Sequence, residues 1–151
     1  MAIARGAGTE IIRSVQLHAL NNTAETLIYG VRHHIYTILS IIVKVESIAT
    51  AGNWCKCFLT GYDSGAGTAQ ADFVIFEPSL SLDDTFVWND KFSFNGYEPV
   101  DFTGPIDSEA KQDAIADQLV SGDSNRQILK IYTEGADDFD VLCTYIDQNN
   151  A

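Results

Sequence analysis

His33-His34 and Cys55-x-Cys57 are the residues of this chain whose types could hold a metal ion. Two thiolates and an imidazole would suit zinc in a tetrahedral site. The spacing argues against it. A Cys-x-x-Cys knuckle is absent, and neighbouring histidines at the head of a strand point to opposite faces. A turn histidine and core thiols are the expected reading, with no metal site. Asp83-Asp84 and Asp137-Asp138-x-Asp140, with Asp63 and Asp72 flanking a glycine-containing loop, offer oxygen ligands of the kind calcium takes. Their spacing is not that of an EF-hand, and solvated acidic loops are expected instead. Adjacent carboxylates in one loop do not face each other across a cleft, as glycoside hydrolysis requires. Gly-x-Ser-x-Gly does not occur. Ser64-Gly65 lacks the rest of a nucleophile elbow, and Gly65-Ala66-Gly67 lacks the rest of a dinucleotide fingerprint. The expectation is a chain without cofactor and without enzymatic activity.

Aromatic residues are the denser signal. They crowd the segment from Trp54 to Phe102. Trp54, Trp88 or Tyr97 could stack on a sugar, but aromatic strands more often form sandwich core or subunit interface. Their setting is a series of short β-type segments. Thr9 to His18, Glu25 to Val31, Ile35 to Glu46, Trp54 to Tyr62 and Asp72 to Phe76 are rich in β-branched and aromatic residues. Ile35 to Glu46 is nearly continuously apolar, the pattern of a strand buried on both faces. Thr85 to Trp88 and Phe92 to Phe94 flank Asn89-Asp90-Lys91, as either a hairpin or a kink within one strand. Arg126 to Thr133 and Phe139 to Asp147 close the series. In the last, Phe139, Val141, Cys143 and Tyr145 alternate with Asp140, Leu142, Thr144 and Ile146. One helix is expected near 107–119, capped by Ser108 or Asp107 and ended by Gly122. Eight or nine short strands and one short helix predict an all-β fold, a β-sandwich or jelly roll. Residues 1–8 read as a flexible arm of small residues, and 9–151 as a single domain.

The chain has 151 residues and a formal net charge of -12. Such a charge repels phosphate backbones and anionic membrane surfaces, so neither is an expected partner. The charge is unevenly spread. Residues 1–62 carry a net +2 and residues 63–151 a net -14. That split fits a molecule whose first third docks on something while its acidic loops stay in water. Met1 to Gly8 has no apolar core of a secretory leader, and no apolar run reaches the roughly 18–20 residues of a membrane span. The expectation is a soluble protein made in a cytoplasm. Three cysteines, an odd number, argue for reduced thiols rather than a disulfide framework.

Four stretches carry a family likeness: Thr9 to Ser14, Leu27 to Ile41, Thr85 to Phe92 and Thr144 to Gln148. Together they resemble small virion proteins of tailed phages, of a kind found among marine and cyanobacterial phages. In particular they are similar to head decoration (cement) proteins. The resemblance implies a non-enzymatic protein on the outer surface of the capsid, stabilising contacts between major capsid subunits. It also implies a homo-oligomer on the particle and a virion location. Tail or neck components look similar at this level, and a carbohydrate-binding sandwich is the rival of a different class. For a decoration protein, the candidate capsid contacts are Ile3, Arg5, Ile11 and Arg13.

Overall fold

A computed structural model describes residues 9–63, 68–98, 105, 107–116 and 125–149. The proposed arm, residues 1–8, lies outside them. Nine strands and one helix are formed among the described residues. They are β1 (Thr9–Leu20), β2 (Glu25–Tyr29), β3 (His34–Ser47), β4 (Cys55–Asp63), β5 (Thr68–Phe76), β6 (Thr85–Trp88), β7 (Phe92–Asn95), α1 (Glu109–Ala116), β8 (Ile128–Thr133) and β9 (Asp138–Asn149). All pairings are antiparallel. One sheet runs β1-β9-β3-β6, with β7 also on β3, and the other runs β2-β8-β4-β5.

Asn89-Asp90-Lys91 is a kink rather than a hairpin. β6 and β7 pair with the same edge of β3, Ile41 opposite Trp88 and Ile38 opposite Phe92. Three residues on one strand therefore oppose two on the other, which is a bulge. With β6 and β7 counted as one interrupted strand, the pairing is nested. The first strand pairs with the last, the second with the seventh, the third with the sixth and the fourth with the fifth. A long hairpin rolled into two facing sheets gives this order, which is that of a jelly roll.

The core lies between the sheets. One sheet contributes Ile38, Ile41, Val43, Val45, Phe139 and Cys143; the other contributes Cys55, Cys57, Leu129 and Ile131. Each is essentially without solvent exposure. The alternation of β9 explains its half of this list, since successive side chains point to opposite faces. Truncating a side chain such as Phe139 to alanine would cost about 3–5 kcal/mol.

β3 departs from its expected two-sided burial. Tyr36, Ile38, Ile41, Val43 and Val45 are buried, but Ile35, Thr37, Ile42 and Lys44 on the other face are not. Within one chain the second sheet covers a single face of β3, and the opposite face has no layer over it among the described residues.

Ser108 caps α1: the Lys111 N–H donates to Ser108 Oγ at 3.3 Å. This satisfies one of the free donors of the first turn. Gly122, the expected end signal, lies outside the described residues.

Two glycines let three segments meet at one end of the sandwich. The Gly30 N–H donates to the Gln127 carbonyl, the Gln127 N–H to the Gly96 carbonyl and the Gly96 N–H to the His34 carbonyl, each at 2.9 Å. A Cβ on Gly96 would collide with the backbone of Val31, and one on Gly30 with the carbonyls of Gln127 and Gly96. Gly52 differs: nothing lies near its missing Cβ, but its φ is 88°. Gly96→Ala is expected to destabilise the fold by about 3 kcal/mol or more, because backbone must move. Gly52→Ala should cost about 1–2 kcal/mol, the left-handed backbone penalty alone. Urea denaturation of the two variants beside the parent protein checks the order.

Candidate functional site

Asp147 organises the end of the sandwich where β1 begins and β9 ends. It continues the inward stripe of β9, opposite Ile11 on β1 and Tyr36 on β3. Its carboxylate is buried. Arg13 Nε lies 3.2 Å from Oδ2, and His34 Nδ1 lies 2.6 Å from Oδ1. Three adjacent strands are thereby clamped through one acid. A buried carboxylate without such partners would be strongly unfavourable. The Tyr36 hydroxyl beside it accepts the Val31 N–H at 3.1 Å. Burial, and then the Asp147 charge, push the Tyr36 hydroxyl up to about 12. Burial also raises Tyr145.

Of the four proposed contact residues, Ile3 and Arg5 lie outside the described residues. Ile11 and Arg13 lie on β1, an edge strand that pairs with β9 alone among the described strands. Ile11 is 39% exposed and its neighbour Ile12 71%. Arg13 is half-exposed, and its guanidinium is engaged with Asp147, which gives it a structural task. The sequence reading missed this clamp. The signal available was an acid in register with the apolar stripe Phe139, Val141, Cys143 and Tyr145.

A second group at the same end was also missed. The Arg126 guanidinium sits 4.1 Å from the Tyr29 ring centroid and 4.8 Å from that of Tyr97, and Arg32 lies 5.0 Å from Tyr97. Arg126 also donates through Nη1 to the Gly30 carbonyl. Cation–π contacts of this kind fix the β2–β3 turn against the start of β8. The turn itself closes by the His34 N–H donating to the Val31 carbonyl, with His33 at φ 65°.

The other candidate chemistries fall into separate places. Cys55, Cys57 and Cys143 are all buried and free. Burial pushes Cys55 and Cys143 up to about 12, and Cys57 higher still. Among the described residues, no three His, Cys, Asp or Glu side chains gather as a metal site. Several of the loop acids already serve protein donors. Asp137 accepts the Ala49 N–H at 2.8 Å and Asn53 Nδ2 at 3.0 and 3.1 Å. Asp84 accepts the Ser81 N–H, and Asp140 the Ala19 N–H. Asp72 stands within β5 rather than beside a loop, and accepts the Thr60 hydroxyl at 2.7 Å.

The three aromatics proposed for sugar stacking do not share a surface. Trp54 packs on Tyr132, Trp88 packs inward on Phe76, and Tyr97 is buried against Arg126. An apolar cleft of about 420 Å³ does open between the edges β5 and β6/β7. Leu59, Phe73, Ile75, Trp88, Phe92 and Phe94 line it, with Asp90 and Lys91 also on its lining. Phe73 is 69% exposed there. Such a cleft accepts an apolar group.

The outward face of the β1-β9-β3-β6/β7 sheet has a different character. One row across it is Gln16, Leu142, Ile42 and Val87; the next is Ser14, Thr144 and Ser40; a third is Ile12, Ile146, Thr37 and Ser93. No ionisable group stands in these rows. Hydroxyls pair within them, Ser14 with Thr144 at 3.2 Å and Thr37 with Ser93 at 2.9 Å. Charge returns at the next row, where His18 meets Asp140 at 3.2 Å and Lys44 meets Asp83 at 3.6 Å.

No protein-family model matches the chain, and no curated protein does. Among solved structures, the chain is similar to one described as Bacillus endospore appendages that form disulfide-linked pili. The identity there is 12%, with 100% of this chain and 97% of that one covered, at a TM-score of 0.44. A structure of infectious bursal disease virus, Gx strain, is 8% identical at a TM-score of 0.46, covering 99% of this chain and 34% of that one. A structure of tomato aspermy virus is 10% identical at 0.26, covering 99% and 81%. At that level of likeness these neighbours say nothing about what this chain does.

The thiols and Tyr36 carry a pH dependence. All are raised above their ordinary values of 9 and 10, so the fold favours their protonated forms. Below pH 9 folded and unfolded chains hold these protons alike. Above it the unfolded chain releases them first, and stability falls as pH rises towards 12. Urea midpoints should therefore be level from pH 7 to pH 8.5 and drop by pH 10.5. Alkylation by iodoacetamide at pH 8 should be slow in the native protein and reach all three cysteines in urea.

Proposed function

We propose that this chain is a non-enzymatic structural protein of a tailed-phage particle, a head decoration protein that binds the outer capsid surface and stabilises contacts between major capsid subunits. The observation that carries the reading is the placement of β1. It is a twelve-residue edge strand that continues directly from residues 1–8 and shows Ile11 and Ile12 to solvent at its start. The side of β1 turned away from β9 meets no other described strand, and such an edge can offer backbone donors and acceptors to another chain. The jelly roll behind it is a rigid carrier of a type used in virus coats and lectins alike. The fold alone assigns neither role, so the proposal also leans on the family likeness of the sequence.

In this reading the arm and the first residues of β1 add to a capsid subunit. Ile3 and Ile11 supply apolar contact, and Arg5 supplies charge. Arg13 holds β1 in place through Asp147, which keeps the edge straight for docking. The net charge of -12 favours solubility before assembly. Many copies on one particle then add avidity to a modest single contact.

The test is addition of purified protein to undecorated heads, with bound protein read by sedimentation and its position by electron microscopy. Full-length protein should label heads. Deletion of residues 2–8 should weaken labelling at least about tenfold, an interface loss of roughly 1.4 kcal/mol, with an unchanged melting curve. Labelling of tails or necks in place of heads would move the protein to that part of the particle. Undiminished labelling by the truncated chain would remove the arm from the mechanism.

A further inference from the structure

β3 has the sequence of a strand covered on both sides, and the described residues cover one side of it. We infer that the outward face of the β1-β9-β3-β6/β7 sheet is an interface on which a second copy of this chain packs, sheet against sheet. The inference stands apart from the particle reading, because it concerns the protein in solution.

Three observations select a second copy over other occupants. The first is charge. Acids outnumber bases 21 to 9 in the chain, yet the rows around Thr144 carry none of either. A basic or acidic partner would find no counter-charge there. Another copy, itself carrying -12, can approach closely where the repelling groups are absent.

The second is exposure. Ile12 is 71% exposed and Val87 51%, both in these rows, and Ile35, 36% exposed, stands one row beyond, in the row of Glu10. An outward sheet face in water usually alternates to polar and charged residues. Here it holds isoleucine, leucine and valine among hydroxyls.

The third is pattern. Leu142 and Ile146 flank Thr144 along β9, the second strand of the four-strand path. A two-fold axis lying across the strands at Thr144 sets Leu142 of each copy against Ile146 of the other. The hydroxyl row then meets its own image, which is the self-complementarity that an isologous interface requires. Sheets packed in this way lie about 10 Å apart, with side chains of both filling the gap.

The size of the face sets the strength. Four strands at about 4.8 Å spacing and roughly 20 Å of uncharged length give about 400 Å². A stable interface takes about 800 Å² from each partner. The dimer is therefore weak and concentration-dependent when free. Held side by side on a larger assembly, the same face would act at a much higher effective concentration.

Salt gives the association a signature. No ion pair crosses the uncharged rows, and the two net charges repel. Raising ionic strength screens the repulsion and strengthens the pairing, the reverse of an interface built on salt bridges.

Sedimentation equilibrium of the full chain over about 10–500 μM, the range in which small interfaces associate, provides the test. It is run at low and at high sodium chloride. A reversible dimer that tightens with salt is expected. Ile12→Asp and Val87→Asp should each weaken it about tenfold or more, and their exposed positions leave the fold intact by circular dichroism. Val74→Asp adds the same charge on the outward face of the other sheet, where Val74 is 42% exposed, and should dimerise as the parent does. A chain that stays monomeric throughout overturns the inference. So does an assembly that salt weakens, or equal loss in Val74→Asp. Head labelling by Val87→Asp, which lies outside the arm and the first residues of β1, is read separately and tells failure of this interface from failure of the particle reading.

Discussion

Ile41 and Cys143 face each other across the β3–β9 ladder, although one lies in the first third of the chain and the other near its end. That ladder is the longest pairing in the fold, and the rest is arranged around it. β1 adds to the far side of β9, and β6 and β7 add to the far side of β3. The inward residues of the two strands form the floor on which Cys55, Cys57, Leu129 and Ile131 rest. Closing so long a loop costs entropy before any contact rewards it. The nested order of the jelly roll makes the burden uniform. Every outer pair encloses the inner ones, and β4 with β5 is the local hairpin from which pairing can spread. Topologies of this kind fold in milliseconds to seconds rather than microseconds.

The two ends of the ladder are finished by buried acids, and the two acids act differently. At one end Asp147 binds side chains from β1 and β3 and so joins strands of a single sheet. At the other end Asp137 binds the backbone of Ala49 and the side chain of Asn53, and so fixes the β3–β4 connection against the turn that leads into β9. Gly135, with φ 75°, brings that turn close enough to reach Asn53. In both cases the carboxylate replaces its lost water with protein donors, which is the condition for burying it. Removing one partner would leave a desolvated charge, so the clamps lock the ends more firmly than their number suggests.

How far the sequence foretold this depended on how local the cause was. β9 was legible because alternation of Phe139, Val141 and Cys143 with Asp140, Leu142 and Thr144 needs no information from elsewhere. The Ser108 cap was legible for the same reason. The kink at Asn89-Asp90-Lys91 is not legible locally, since its answer is the register of a partner strand some fifty positions upstream. Asp147 with Arg13 and His34, and Arg126 between Tyr29 and Tyr97, could not be found from spacing. Each joins residues that are distant in the chain, and neither group has a motif. The glycines show the same limit. Gly30 and Gly96 look like ordinary turn residues until two backbones are seen to touch. Of the four proposed contacts, Ile11 and Arg13 lie on β1, and the pairing of Arg13 with Asp147 joins residues too distant in the chain to be read from spacing.

β3 is the instructive case, because its sequence and its surroundings disagree. Nearly continuous apolar character predicted cover on both faces. Among the described residues one face is covered, and Thr37, Ser40 and Ile42 on the other fall in the rows that lack charge. Two features that arise separately, hydropathy along one strand and charge over four, thus coincide in place. A strand that merely lay at a sandwich surface would be expected to carry lysine or glutamate on its outward positions, as Lys44 and Glu46 do beyond the uncharged rows. The change from one regime to the other occurs within two residues along β3, between Ile42 and Lys44. So sharp a boundary is what the edge of the inferred interface would produce. If that interface forms, hydrophobic pattern in a single chain reports the assembled state, and the second cover that the sequence of β3 predicts is a layer found outside the described residues of one chain.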